Sequence, residues 1–104
     1  MMDIAVLVSG GGTNLQALID FEQNNPNCPY HICVVMSDRK DAFALERARK
    51  AGIQTELVSS YSILGADKAK VATRDQKRFA ISDKVLEHCK TFKAQAIVLA
   101  GWLT

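Results

Sequence analysis

From Asp3 to Val8 the chain reads Asp-Ile-Ala-Val-Leu-Val, an almost unbroken apolar run rich in β-branched residues that ends in Ser9-Gly10-Gly11-Gly12. A run without polar alternation predicts a strand buried on both faces. Beyond the glycines the period changes. Leu15, Leu18 and Ile19 take helical spacing, predicting a helix that begins near Asn14 or Leu15 and ends before Asn24-Asn25-Pro26, where the proline cannot continue it. Residues 30–37, Tyr-His-Ile-Cys-Val-Val-Met-Ser, read as a second strand. A second helix follows, with Asp41 suited to its N-cap, Phe43, Ala44 and Ala48 offering an apolar face, Arg49 and Lys50 complementing the C-terminal dipole, and Gly52 suited to a left-handed cap. Thr55 to Val58 predicts a third strand, after which Ser59 to about Lys70 is polar and irregular around Gly65. The apolar positions Ile81, Val85, Cys89 and Phe92 predict a third helix from roughly Thr73 to Lys90 with a charged opposite face. Ala96 to Ala100 is the fourth strand, followed by Gly101-Trp102-Leu103-Thr104.

The order β-α-β-α-β-α-β predicts an α/β fold with a doubly wound parallel sheet and right-handed crossovers, in which ligands bind beyond the carboxyl ends of the strands. Four features fall at that edge: the turn 9–14, the Ser37-Asp38-Arg39 turn, the start of the 59–70 stretch, and Gly101 to Thr104. The 104 residues allow one domain, and a short one for this class, because each crossover uses a dozen or so residues.

Composition narrows the functional classes. With 48% hydrophobic and 23% charged residues the chain has the make-up of a globular domain. Its 13 Lys and Arg are interspersed with 11 Asp and Glu for a net charge of +2, so nucleic acid is not an expected partner. The opening residues lack the early basic charge of a signal peptide, and no apolar stretch approaches the roughly 18 residues of a membrane helix. Cys28, Cys33 and Cys89 show neither C-x-x-C spacing nor clustered histidines, which argues for reduced thiols, with Cys33 and Cys89 as small core residues, and against a zinc site or a disulfide framework. A cytoplasmic protein without a metal is expected.

The candidate chemistry lies in the glycines. Three in a row between a strand and a helix let the backbone approach a ligand without Cβ atoms, while the helix start supplies unpaired N–H groups and partial positive charge. This is a cradle for phosphate or carboxylate, to which Thr13 can add a hydroxyl donor, while Asn14 can cap the helix or donate its amide to the anion. No Lys-Ser or Lys-Thr follows, so the loop is not that of a nucleoside triphosphatase. Gly10 and Gly12 satisfy half of a dinucleotide fingerprint, but Leu15 stands where its third glycine belongs. Asp38 or Arg39 could still serve a ribose or its phosphate, which keeps a dinucleotide-binding or regulatory module open as an alternative. His31 opens the second strand at the opposite edge and His88 lies inside the third helix, so neither is placed as a catalytic base.

The run Ile4-Ala-Val-Leu-Val-Ser-Gly-Gly-Gly-Thr-Asn-Leu-Gln-Ala-Leu-Ile19 resembles the opening of the phosphoribosylglycinamide formyltransferases. Met36-Ser-Asp-Arg-Lys-Asp-Ala-Phe-Ala-Leu-Glu-Arg-Ala-Arg-Lys-Ala-Gly-Ile53 is similar to the family's second strand and helix, and Ile97-Val-Leu-Ala-Gly-Trp-Leu103 to its fourth strand and following turn; residues 60–77 fall outside the likeness. The resemblance implies a Rossmann-like formyltransferase N-terminal subdomain and transfer of a formyl group from the co-substrate 10-formyltetrahydrofolate to glycinamide ribonucleotide in purine biosynthesis. It implies that Gly12, Thr13 and Asn14 hold the ribonucleotide phosphate. Arg78, with Arg74 as the alternative, falls on the folate side together with Leu103 and Thr104, although many relatives carry a basic residue at the position of Thr104. The family's catalytic Asn-x-His motif and its distant aspartate have no match within residues 1–104. The resemblance therefore implies the phosphate- and substrate-binding part of a formyltransferase domain, inactive alone, whose fourth strand leaves an open edge that invites dimerisation or strand pairing.

Overall fold

In the computed structural model, which describes residues 2–39, 42–59, 65 and 73–101, the first apolar run is strand β1 (Met2–Val8), and Ile4 to Val8 are all buried. Successive side chains alternate sides, as they must in a strand. Ile4, Val6 and Val8 enter one apolar cluster, and Ala5 and Leu7 another. Helices α1 (Thr13–Asn24) and α2 (Phe43–Lys50) close the first cluster through Leu15, Ile19, Ala44, Leu45 and Ala48. Helix α3 (Arg74–Thr91) closes the second through Ile81, Val85 and Cys89. With helices over both faces, β1 has no solvent side for polar residues, which explains its unbroken apolar sequence.

Strands β2 (Tyr30–Ser37), β3 (Thr55–Leu57) and β4 (Ala96–Leu99) complete a parallel sheet of order β3-β2-β1-β4. The chain steps outward from β1 through β2 to β3 with α1 and α2 on one face. It then returns by way of α3 on the other face to set β4 against the free side of β1. This is the doubly wound α/β arrangement the sequence predicts. The direction of the strand order reverses between β1 and β4, the topological switch point where this class of sheet opens its ligand crevice. β4 is an outer strand, and its Leu99 is 64% exposed. Among the described residues no helix is long and apolar enough to cross a membrane.

Local details depart from the sequence reading. Ile4 pairs with Ile32 but Ala5 with Val34, so Cys33 is an extra residue in β2. This bulge turns Cys33 and Val34 to the same side, toward α3, and the Cys33 thiol donates to the Ile4 carbonyl at 3.2 Å. Helix α1 starts at Thr13, earlier than expected, because the left-handed Gly12 takes the cap position and accepts the first helical bond from the Gln16 amide at 2.8 Å. In α2 the cap is Ala42, with no side-chain bond; Asp41, the expected cap, lies outside the described residues. Phe43, expected in the core, is half-exposed, and Leu45 takes its place beside Ala44 and Ala48. Helix α3 starts as expected: the Thr73 hydroxyl accepts from the Gln76 amide at 3.2 Å, and the Gln76 side chain accepts from the Thr73 amide at 2.9 Å. The irregular stretch expected over 59–70 lies outside the described residues apart from Ser59 and Gly65.

Gly12 meets two constraints at once. Its φ of 80° lies in the left-handed region, and a Cβ there would stand 2.6 Å from the Ala44 Cβ and 2.7 Å from the Ala44 Cα. Gly12→Ala should therefore lower stability by about 3 kcal/mol in urea unfolding, combining backbone strain with forced displacement of α2. Gly10→Ala should change it little, since a Cβ there meets nothing within 4 Å.

A second prediction concerns alkaline pH. Burial pushes the Cys33 and Cys89 thiols above their ordinary value of 9.0, with the Asp3 charge adding at Cys33. Burial, reinforced by Cys28 and Glu22, pushes the Tyr30 phenol above 10.0. The folded chain thus holds these protons more tightly than the unfolded chain does. The stabilisation is complete below the unfolded values and is lost as pH rises through 9.0 and 10.0 toward the raised folded values. The urea midpoint in reducing buffer should fall between about pH 7 and about pH 10, and Cys89→Ala should flatten that fall.

Candidate functional site

Parallel pairing brings the carboxyl ends of all four strands to one edge, and hydrogen bonds tie their exits together. The Ala100 amide donates to the Leu7 carbonyl at 2.9 Å and the Ser9 amide to the Gly101 carbonyl at 3.2 Å, so the exits of β1 and β4 sit side by side at the switch point. On the other side of the turn, the Ala44 amide at the start of α2 donates to the Gly10 carbonyl at 3.2 Å. Ser9 and Ser37, the residues that end the apolar runs of β1 and β2, are fully buried beneath this edge.

The glycine turn delivers the start of α1 to the crevice. Gly12 at the cap position has no side chain to bond the helix and the first turn holds no acidic residue, so the helix itself supplies neither a capping acceptor nor a negative charge to its N-terminal amides and partial positive charge. Thr13 and Asn14 are the first two helical residues and both are exposed. Asn14 does not cap the helix, because Gly12 already occupies that position. Leu15, where a dinucleotide fingerprint would have glycine, is completely buried in the α1–α2 cluster, so its side chain fills the contact that the glycine of that fingerprint leaves to backbone. Arg39 is held by a turn in which the Ser37 hydroxyl accepts from its amide and donates to its carbonyl, both at 3.1 Å.

Two apolar grooves flank β4. One, of about 560 Å³, runs between α3 and β4 and is lined by Leu7, Ile81, Val85, Leu86, Ile97 and Leu99, with Arg78 and Ser82 as its polar members. The other, of about 570 Å³, lies on the opposite face between α1 and β4 and takes in Asn14, Leu18, Phe21, Tyr30, Val98 and Leu99. Leu99 belongs to both. The fold thus gathers Gly12, Thr13 and Asn14 at the start of α1, and places Arg78 across the end of β4 from them. Arg74 is the first residue of α3. Leu103 and Thr104 lie outside the described residues.

The histidines stand apart from this arrangement. His31, at the amino end of β2, lies 2.7 Å from Glu22, whose other oxygen accepts from the Ile32 amide at 3.0 Å. His88 is 4.0 Å from Glu56 and packs against the Phe92 ring.

One residue at the turn escaped the sequence reading. Arg47 Nε donates to the Gly11 carbonyl at 2.8 Å, a guanidinium nitrogen donates to Gln16 Oε1 at 3.2 Å, and the guanidinium carbon lies 4.9 Å from the centre of the Phe43 ring. The one available signal was the four-residue spacing of Phe43 and Arg47, which puts them on one helical face without saying what that face meets.

Comparison with known proteins places this arrangement. Residues 2–104 match the family model described as formyl transferase. The phosphoribosylglycinamide formyltransferase of Dictyostelium discoideum is 37% identical over 103 residues, covering 97% of this chain and 47% of that protein. The Saccharomyces cerevisiae protein of the same name is 39% identical over 109 residues, covering 99% of this chain and 49% of its own. The crystal structure of glycinamide ribonucleotide transformylase 1 from Symbiobacterium toebii superposes with a TM-score of 0.79 at 34% identity, over 100% of this chain and 43% of that one. The chain thus spans about half the length of the curated relatives it matches. With the family model matched from the first strand to the last residue, and the same fold in a solved relative, the chain belongs to the formyl transferase family.

Proposed function

We propose that this chain carries the substrate-phosphate half of a phosphoribosylglycinamide formyltransferase, a cytoplasmic enzyme that moves a formyl group from 10-formyltetrahydrofolate to glycinamide ribonucleotide. The observation that carries the reading is the start of α1: an uncapped helix, without acid in its first turn, entered through three glycines at the topological switch point. Such an end favours a dianionic phosphate, which accepts from several amides at once and faces the positive end of the helix dipole. In this reading the backbone at Gly12, the Thr13 hydroxyl and the Asn14 amide hold the ribonucleotide phosphate.

The groove between α3 and β4 suits the co-substrate. Its aliphatic walls fit a flat heteroaromatic ring, and Arg78 offers the charge that a glutamate-bearing tail requires. Leu103 and Thr104 belong to the same folate side in this reading. In the reaction the substrate amine attacks the formyl carbon, the bond from that carbon to the folate nitrogen breaks, and the amine proton passes in net terms to the departing nitrogen. Residues of this chain bind and orient in this scheme; the acid–base work is assigned to none of them, so a sample of these 104 residues is expected to bind substrate without turning it over.

Thermal shift tests the reading. Glycinamide ribonucleotide at about a hundred times its Kd should stabilise the chain by about 2.7 kcal/mol, roughly 10 °C or more for a domain of this size, while NAD(P) should not. The reverse pattern would favour the dinucleotide alternative. Asn14→Asp gives a sharper test, because its two effects have opposite signs. A carboxylate in the first turn should raise the ligand-free stability by about 0.5 kcal/mol and abolish most of the ligand-induced shift.

A further inference from the structure

We infer that Arg47 is a positioning residue that sets the polarity of the glycine turn, holding its carbonyls toward α2 so that its amides face the anion. The inference rests on the reading that this turn holds phosphate. A trans peptide group is planar, and its C=O and the N–H of the next residue point in opposite directions. The Gly10 carbonyl accepts from the Ala44 amide at 3.2 Å, and the Gly11 carbonyl accepts from Arg47 Nε at 2.8 Å. Both bonds run to α2. The N–H groups of Gly11 and Gly12 are therefore directed away from α2, out of the turn. Reversal of either peptide would present a carbonyl oxygen to the anion and convert attraction into repulsion.

The two restraints differ in kind. That on Gly10 comes from the backbone and survives any change of side chain at position 44 that preserves the packing. The restraint on Gly11 comes from one side chain, in a sequence of three glycines that otherwise has little to fix its peptide planes. The guanidinium is itself fixed on two further sides: it donates to Gln16 on α1 at 3.2 Å, and it lies over the Phe43 ring at 4.9 Å. This accounts for Phe43 standing half-exposed at the start of α2, where it serves as a stacking platform. Two donors directed at once to a carbonyl and an amide oxygen, from a plane that also stacks, are a property of arginine that the compact ammonium of lysine does not reproduce. Arg47 acts through the turn and does not itself contact the ligand.

The test is an NMR titration of the isotopically labelled 104-residue chain with inorganic phosphate, on wild type, Arg47→Lys and Arg47→Met. In wild type, phosphate should move the amide signals of Gly11, Gly12 and Thr13. In both variants the Gly11 carbonyl-carbon signal should shift as its hydrogen bond is lost, and phosphate should bind about tenfold more weakly. Absence of any phosphate response at the turn in wild type would overturn the phosphate reading and this inference with it. A wild-type response matched in affinity by both variants would overturn the role of Arg47 alone. Wild-type affinity in Arg47→Lys with weakened binding in Arg47→Met would also overturn it, by showing that charge near the turn suffices. Should the methionine variant fail to fold, the lysine variant decides, since it retains the charge and the aliphatic stem.

Discussion

Strand β1 has a helical layer over each face and a hydrogen-bonded strand along each edge, so along most of its length no group on it reaches water. A chain buried on four sides leaves only at its ends, and with every neighbour parallel its carboxyl end emerges beside theirs. The segment leaving β1 must turn sharply within a crowded edge, between the exit of β4 and the start of α2. Glycine meets that demand, and its use brings the uncapped start of α1 to the same place. The proposed anion site is in this sense a by-product of how the central strand is buried.

The same crowding explains the residues around the turn. Ala44 lets α2 close to within a Cβ diameter of Gly12, and Arg47, one helical turn later, reaches back to the adjacent carbonyl. Small side chains where the layers touch and one long planar side chain at the rim make a rigid seat from a segment that has almost no side chains of its own. The grooves on either side of β4 converge on Leu99, so Asn14 in one groove and Arg78 in the other stand on opposite sides of a single strand.

Much of this could be read from the sequence, because the controlling signals are periodic or terminal. The unbroken run of β1, the helical spacing of Ile81, Val85 and Cys89, and the Asn25-Pro26 stop after α1 each announce themselves within a few residues. The features that could not be read depend on contacts distant in sequence. The bulge at Cys33 leaves no mark in a uniformly apolar strand, where either face accepts either neighbour. Phe43 looks like a core residue until the partner that draws it outward, Arg47, is seen bonded to a glycine 36 positions earlier. Asn14 suited the cap by type, but Gly12 took the position by conformation.

The burial of the thiols carries a consequence of another kind. Cys28 precedes β2, Cys33 sits in its bulge and Cys89 faces it from α3; Cys28 and Cys89 are buried, and burial keeps the Cys33 and Cys89 sulfurs protonated and poorly nucleophilic. At the two buried sites, Cys28 and Cys89, an alkylating reagent must therefore wait for the fold to open, while the half-buried Cys33 serves as the comparison. Alkylation followed site by site by mass spectrometry would then resolve in time which layer of the sheet separates first, making the native cysteines reporters of breathing motions that no added label has disturbed.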